Sequence, residues 1–201
     1  MTPAPPPHPI FRAPHFQILK IDHLIPSNPD QRYRPRALAQ IKRVIVHHTA
    51  GPVIDGWAGP AATARTHTKE RKWPGIGYHF FVPYNSPASD GTPTAYLTQP
   101  LRAWAYHTGP GWNQPGIGVA CQGCFSSRHD PDQGPIRAQP TQGPSYHQYR
   151  ALWALWGYLC DRFPGLKLYG HFDAGKTTCP GDDLEHWIRL TRGEEDSLHV
   201  G

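Results

Sequence analysis

The stretch that most constrains this chain is KRVIVHH, residues 42–48. An apolar run rich in β-branched residues reads as a buried strand, yet this one ends in two imidazoles. Successive side chains on a strand point to opposite faces. His47 and His48 therefore cannot both enter one site: one faces a cleft and the other faces the packing. The same alternation separates Tyr78 from His79 in a second, aromatic-rich strand expected over residues 76–82.

Around these strands the chain is punctuated by 24 Pro and 20 Gly among 201 residues, which implies many turns and excludes a helical bundle. The length favours one domain and is enough to bury a core without staples. Further strands are expected over 94–99, 117–123 and 166–169, with a short extended piece over 102–107. A helix is expected over 60–73, where Ala-rich sequence follows a Gly-Pro start. A second follows Ser145 as its N-cap, with Leu152, Leu155, Trp156 and Leu159 at helical spacing, and a third covers 182–191. Such irregular alternation points to an α/β domain with a mixed sheet. Residues 1–15 carry six prolines and read as an extended arm. Residues 16–40 read as irregular structure packed onto the domain, and 125–144 as a long loop without periodicity.

The formal net charge is +5 with His neutral, and 13 His add to it as pH falls. A modestly basic surface suits an anionic partner. There is no Lys/Arg stripe and no RNA-binding motif, so no nucleic-acid partner is expected. No stretch approaches the roughly 18–20 apolar residues of a membrane span. The N-terminus lacks the apolar segment of a secretory signal, so synthesis in the cytoplasm is expected. Cys121, Cys124, Cys160 and Cys179 are too few in a chain this long for a disulfide framework. The pair Cys121 and Cys124 spans a strand end and a turn and reads as ordinary thiols; Cys160 reads as core. His129, Asp130 and Asp132 sit in a Pro-rich loop and read as solvated, and Glu194, Glu195 and Asp196 as a frayed acidic tail.

Chemistry concentrates where His171 and Cys179 lie eight residues apart on a loop containing Gly175. That spacing is wrong for one helix face, but a loop can fold both side chains onto one ion. Zinc takes imidazole nitrogen and thiolate, and catalytic sites use three protein ligands with one position left open.

Four segments then carry a resemblance: VIVHHTAG (44–51), GIGYHFFV (75–82), WAYHTG with GWNQPGIGVACQG (104–123), and YGHFDAGKTTCPGDDL (169–184). In this order they resemble the zinc-dependent N-acetylmuramoyl-L-alanine amidases of the type-two family, which include the bacteriophage amidase lysozymes and the peptidoglycan recognition proteins. The resemblance implies an α/β single domain with a central mixed β-sheet flanked by helices and a zinc cleft on one side, with His47, His171 and Cys179 as metal ligands and His48 on the other face. It places Tyr78 at the family's catalytic tyrosine and Thr177 at a second catalytic position. Lys176, one place off, is left out. Tyr78 either donates to the oxyanion or moves a proton; its ordinary pKa near 10 makes it a poor base at neutral pH. His107, Asn113 and Trp73 are expected to contact substrate, with Trp57, Trp104 and Trp112 as further aromatic candidates.

The implied reaction is hydrolysis of the amide between N-acetylmuramic acid and L-alanine in peptidoglycan, with Zn2+ activating water. Binding-only relatives replace a zinc ligand, and all three are present here. The expected organisation is a Pro-rich extension (1–39), a zinc amidase catalytic domain (40–192) and a short tail (193–201), acting as a monomer. Without a secretory signal the chain suits a phage endolysin that reaches the wall at lysis. The alternatives are a cytoplasmic muropeptide-recycling amidase and, in a different class, a peptidoglycan-binding protein without turnover.

Overall fold

The structure is a computed structural model, and it describes residues 8–13, 15–126 and 143–194. Among the described residues, seven strands form one mixed sheet. They are β1 (His8–Ala13), β2 (Phe16–Lys20), β3 (Arg43–His48), β4 (Phe80–Val82), β5 (Thr94–Leu97), β6 (Gly116–Cys121) and β7 (Lys167–Gly170), in the spatial order β1-β2-β5-β4-β6-β3-β7. β3 lies between β6 and β7 and is parallel to both, while β1 with β2 and β4 with β5 are antiparallel. A strand paired on both sides and covered on both faces reads as a continuous apolar run, and this is the origin of the VIV stretch.

The alternation along the strands builds two layers. Val44, Val46, Phe80, Val82, Ile117 and Val119 face α2 (Tyr146–Arg162) and α3 (Asp182–Thr191), where Leu152, Leu155, Leu159, Leu184 and Ile188 complete the larger core. Phe81, Tyr96 and Ala120 face the other way, onto Ala61 and Ala64 of α1 (Ala58–Lys69). Ser145 caps α2 as expected: its Oγ accepts the Gln148 N–H, and Gln148 Oε1 accepts the Ser145 N–H.

Several boundaries differ from the sequence reading. The segment over 16–40, expected to be irregular, begins with β2, whose Phe16 and Ile18 are buried in the larger core. β1 extends the sheet at its edge, where Pro9 is tolerated because an edge strand leaves one row of its backbone groups unpaired. α1 spans 58–69 rather than 60–73. Lys72 turns the chain back at φ +55°, and the following Trp73 precedes Pro74, which disfavours helix. The strand expected over 76–82 is paired only from Phe80, because Gly77 is pressed between the Tyr106 carbonyl and the Trp73 ring. Residues 102–107 contribute one bridge, Ala103 with Pro35. Most of the loop expected over 125–144, with His129, Asp130 and Asp132, lies outside the described residues, as do Glu195 and Asp196.

Candidate metal centre and cleft

His47 is the penultimate residue of β3, and its side chain lies on the α1 face of the sheet. His48 takes the opposite face, where its Nδ1 accepts the Phe125 N–H at 3.1 Å. β7 runs parallel to β3 with Gly170 level with Val46, so the next residue, His171, emerges beside His47. The two rings lie 4.7 Å apart. The chain then turns and returns Cys179, buried, against the end of β3; its Sγ accepts the His48 N–H at 3.4 Å and lies 3.8 Å from His47 Nδ1. One ligand atom each from His47, His171 and Cys179 falls within 4.8 Å of the others.

That donor set fits a zinc ion. Tetrahedral zinc, at about 2.1 Å from nitrogen and 2.3 Å from sulfur, holds its donors roughly 3.3–3.6 Å apart. Small side-chain movements bring the three within that range. Burial holds the His47 pKa well below its ordinary value, and the nearby His171, His107, His48 and His67 add to the effect. A neutral imidazole is the form that binds metal.

The three donors line the floor of a cleft of about 200 Å³. Tyr78 lines the same cleft, with its ring 5.2 Å from that of His47. Burial, then the nearby Cys179, raises the Tyr78 pKa, so the phenol keeps its proton across neutral pH and acts as a donor. His107 lies behind His47, with Nδ1 3.1 Å from His47 Nε2 and 2.8 Å from Thr108 Oγ1. Its pKa is held down to about 3, chiefly by burial. The loop carrying it is tied by Asn113, whose Oδ1 accepts the backbone N–H groups of His107, Thr108 and Gly109 at 3.0, 2.8 and 3.2 Å. The absence of a side chain at Gly118 leaves room for the His107 ring, since a Cβ there would meet it at 2.6 Å.

Of the residues singled out in the sequence, His47, His171, Cys179, Tyr78, His107, Asn113 and Trp73 all line this cleft. Thr177 does not line it; its Oγ1 accepts the Cys179 N–H at 3.2 Å, inside the loop. Trp57, Trp104 and Trp112 are not on the lining either, and Trp112 packs edge-on against Tyr169 under Arg43. Five lining residues were missed: His67, Arg71, Tyr106, Thr108 and Gly109. The first two sit at i, i+4 around the end of α1, a spacing that places side chains on one helix face. His67 Nδ1 accepts the Gly77 N–H, and burial followed by the Arg71 charge lowers its pKa to about 4.

Both the sequence and the fold are similar to those of known proteins. The profile of the N-acetylmuramoyl-L-alanine amidase family matches residues 37–182. Peptidoglycan recognition protein 1 of Bos indicus is 31% identical over 151 residues, covering 72% of this chain and 68% of that protein. The endolysin of Enterobacteria phage T3 is 28% identical over 156 residues, covering 78% of this chain and 89% of that one. Among solved structures, an endolysin from a Thermus scotoductus bacteriophage superposes with a TM-score of 0.62 at 29% identity, covering 86% of this chain and 97% of that chain. With all motif segments inside or beside the matched region, the chain belongs to the N-acetylmuramoyl-L-alanine amidase family.

Proposed function

We propose that this protein is a zinc-dependent hydrolase that cleaves peptidoglycan between N-acetylmuramic acid and L-alanine, and that it serves as a phage endolysin. The observation that carries the reading is the convergence of His47, His171 and Cys179 in one cleft that Tyr78 also lines. A zinc ion held by these three residues supplies a Lewis acid for the scissile carbonyl and lowers the pKa of the attacking water.

The chain's own residues do the rest. His47 offers Nδ1 on the Cys179 side, which puts its ring proton on Nε2 and donates it to Nδ1 of His107. That bond fixes both tautomer and ring plane. The protonated Tyr78 hydroxyl donates to the oxyanion that develops as the amide carbon becomes tetrahedral. Thr177 lies two residues before Cys179 and shares its loop, and it stands as a second hydroxyl candidate. Trp73 and Tyr106 offer apolar faces to the substrate, and Arg71 offers a cation to its carboxylates. The endolysin role rests on the likeness to the two phage endolysins and places the enzyme's action at the wall after release from the cytoplasm.

The test is metal content and release of L-alanine amino termini from purified sacculi, for the wild type and for Cys179→Ala. The expected result is about one zinc per chain and turnover in the wild type, with both lost in the variant. Binding to sacculi without turnover, with zinc supplied, would assign the cleft to recognition alone. Activity confined to soluble muropeptides would replace the endolysin role by a recycling one.

A further inference from the structure

Arg36 is 4% exposed, yet among the described residues no carboxylate pairs with it. A buried cation without a counter-charge is expensive unless its protons are all engaged. Here the guanidinium is engaged by backbone. Nε donates to Leu101 O at 2.8 Å, and Nη1 donates to Gln114 O and Gly116 O at 2.6 Å each and to Asn113 O at 3.3 Å. Nη2 lies 2.9 Å from Nε2 of His79. One side chain therefore holds both ends of the loop that carries His107 and Asn113.

The residues just before Arg36 hold the facing wall. Asn28 N–H donates to Pro74 O at 2.9 Å. The Tyr33 hydroxyl lies 2.8 Å from Gly75 O and 3.0 Å from Ile76 O, in the segment between Trp73 and Tyr78. Its ring meets Tyr106 edge-on at 5.0 Å, and Tyr106 in turn meets Trp73 at 5.9 Å. Between these anchors, Trp104 N–H donates to Arg34 O and Arg36 N–H donates to Arg102 O, both at 2.8 Å. The family match begins only at residue 37, so every one of these contacts comes from chain that precedes it.

We propose that residues 28–36 form a positioning strap that sets the two cleft walls relative to each other. Tyr33 holds the wall carrying Trp73 and Tyr78, and Arg36 holds the loop carrying His107 and Asn113. Neither side chain lines the cleft, so both act through the residues they hold. Arginine is suited to the task because its planar fork presents five donors in fixed directions; a lysine ammonium presents three from one point. The kinetic part of this inference rests on the amidase reading above, whereas the dynamic part does not.

The experiment is hydrogen–deuterium exchange on the full chain, with kinetics on a soluble muropeptide, for Tyr33→Phe, Arg36→Lys and Arg36→Met. In Tyr33→Phe, exchange is expected to rise over 73–78 alone, with KM up about fivefold, the equivalent of one hydrogen bond. In Arg36→Met, exchange rises over 101–116 alone, and kcat/KM falls roughly 10- to 100-fold while bound zinc is retained. Arg36→Lys falls between Arg36→Met and the wild type. Should Arg36→Met not fold, the other two variants decide the matter. Wild-type exchange at both walls overturns the proposal. So does an increase spread evenly over α2 and the central strands, which is the mark of ordinary destabilisation. A wild type without amidase activity refutes the proposed function, and the exchange patterns still decide the strap.

Discussion

Gly118→Ala tests the idea that the cleft is built on a missing side chain. Gly118 lies in β6, and a Cβ there would stand 2.6 Å from His107 Cγ, 2.8 Å from Cδ2 and 3.0 Å from Nδ1. Carbon atoms in good contact are about 3.5–4.0 Å apart. The His107 ring must therefore retreat by roughly 1 Å, and it is pinned from behind because Asn113 holds its backbone N–H. Such a shift disturbs the contact of Nδ1 with His47 Nε2, now at 3.1 Å. Overpacking of this kind costs about 1–3 kcal/mol in stability, or roughly 2–10 °C in melting temperature for a chain of this size. A displacement of about 1 Å next to a reacting centre lowers turnover by up to ~100-fold. The assay is kcat/KM on a soluble muropeptide at a temperature where the variant is fully folded, beside Gly157→Ala as a control. A Cβ on Gly157, in the middle of α2, meets nothing within 4 Å. Helix propensity then makes that variant more stable by up to about 1 kcal/mol, with unchanged activity. If Gly118→Ala turns over like the wild type, His107 does not depend on the space at Gly118, and the account of how His47 is oriented fails with it.

Three further predictions follow from the geometry. His67 is held at about pKa 4 when folded against an unfolded value near 6.5. Its neutral form thus contributes stability that is complete above pH 6.5 and is lost as pH falls toward 4. The loss between pH 7 and pH 5 is on the order of 2 kcal/mol; urea melts at the two pH values should show it, and His67→Gln should lessen the difference. Lys72→Gly, at an exposed residue with φ +55°, should raise stability by about 0.5–1 kcal/mol, because left-handed backbone penalises any residue with a Cβ; an unchanged melting temperature would refute this. Ser145→Ala removes the N-cap of α2 and the contact of its hydroxyl with the Tyr84 carbonyl, and should cost about 1–2 kcal/mol by denaturant titration.

The parts of the fold legible in the sequence were those governed by local rules. Period-two alternation is enough to send His47 and His48 to opposite faces, and Ser145 as an N-cap is enough to start α2 where it starts. Ranges failed where distant chain intervenes. The Phe16–Lys20 segment is a strand because β5, far along the sequence, offers it a partner. The helix expected to reach Trp73 ends at Lys69, and Lys72 then turns the chain at φ +55°. The cleft shows the same division. Histidine, cysteine and tyrosine in recognisable segments can be read directly, whereas Arg36 and Tyr33 look like any basic or aromatic residue of a Pro-rich stretch. Only the carbonyls they reach, more than 40 residues away, give them meaning.

The placement of β3 between β6 and β7 also bears on how the protein assembles. His47 and Cys179 are 132 residues apart, and the first pairing that brings β7 alongside β3 closes a loop nearly as long. Contacts of such sequence separation form late and slowly, because the entropy of closing the loop is lost before they are made. A chain with β3 and β6 paired but β7 undocked would hold only one of the three donors in position. Recovery of hydrolytic activity on refolding should therefore trail the recovery of secondary structure, and its rate should report the docking of β7.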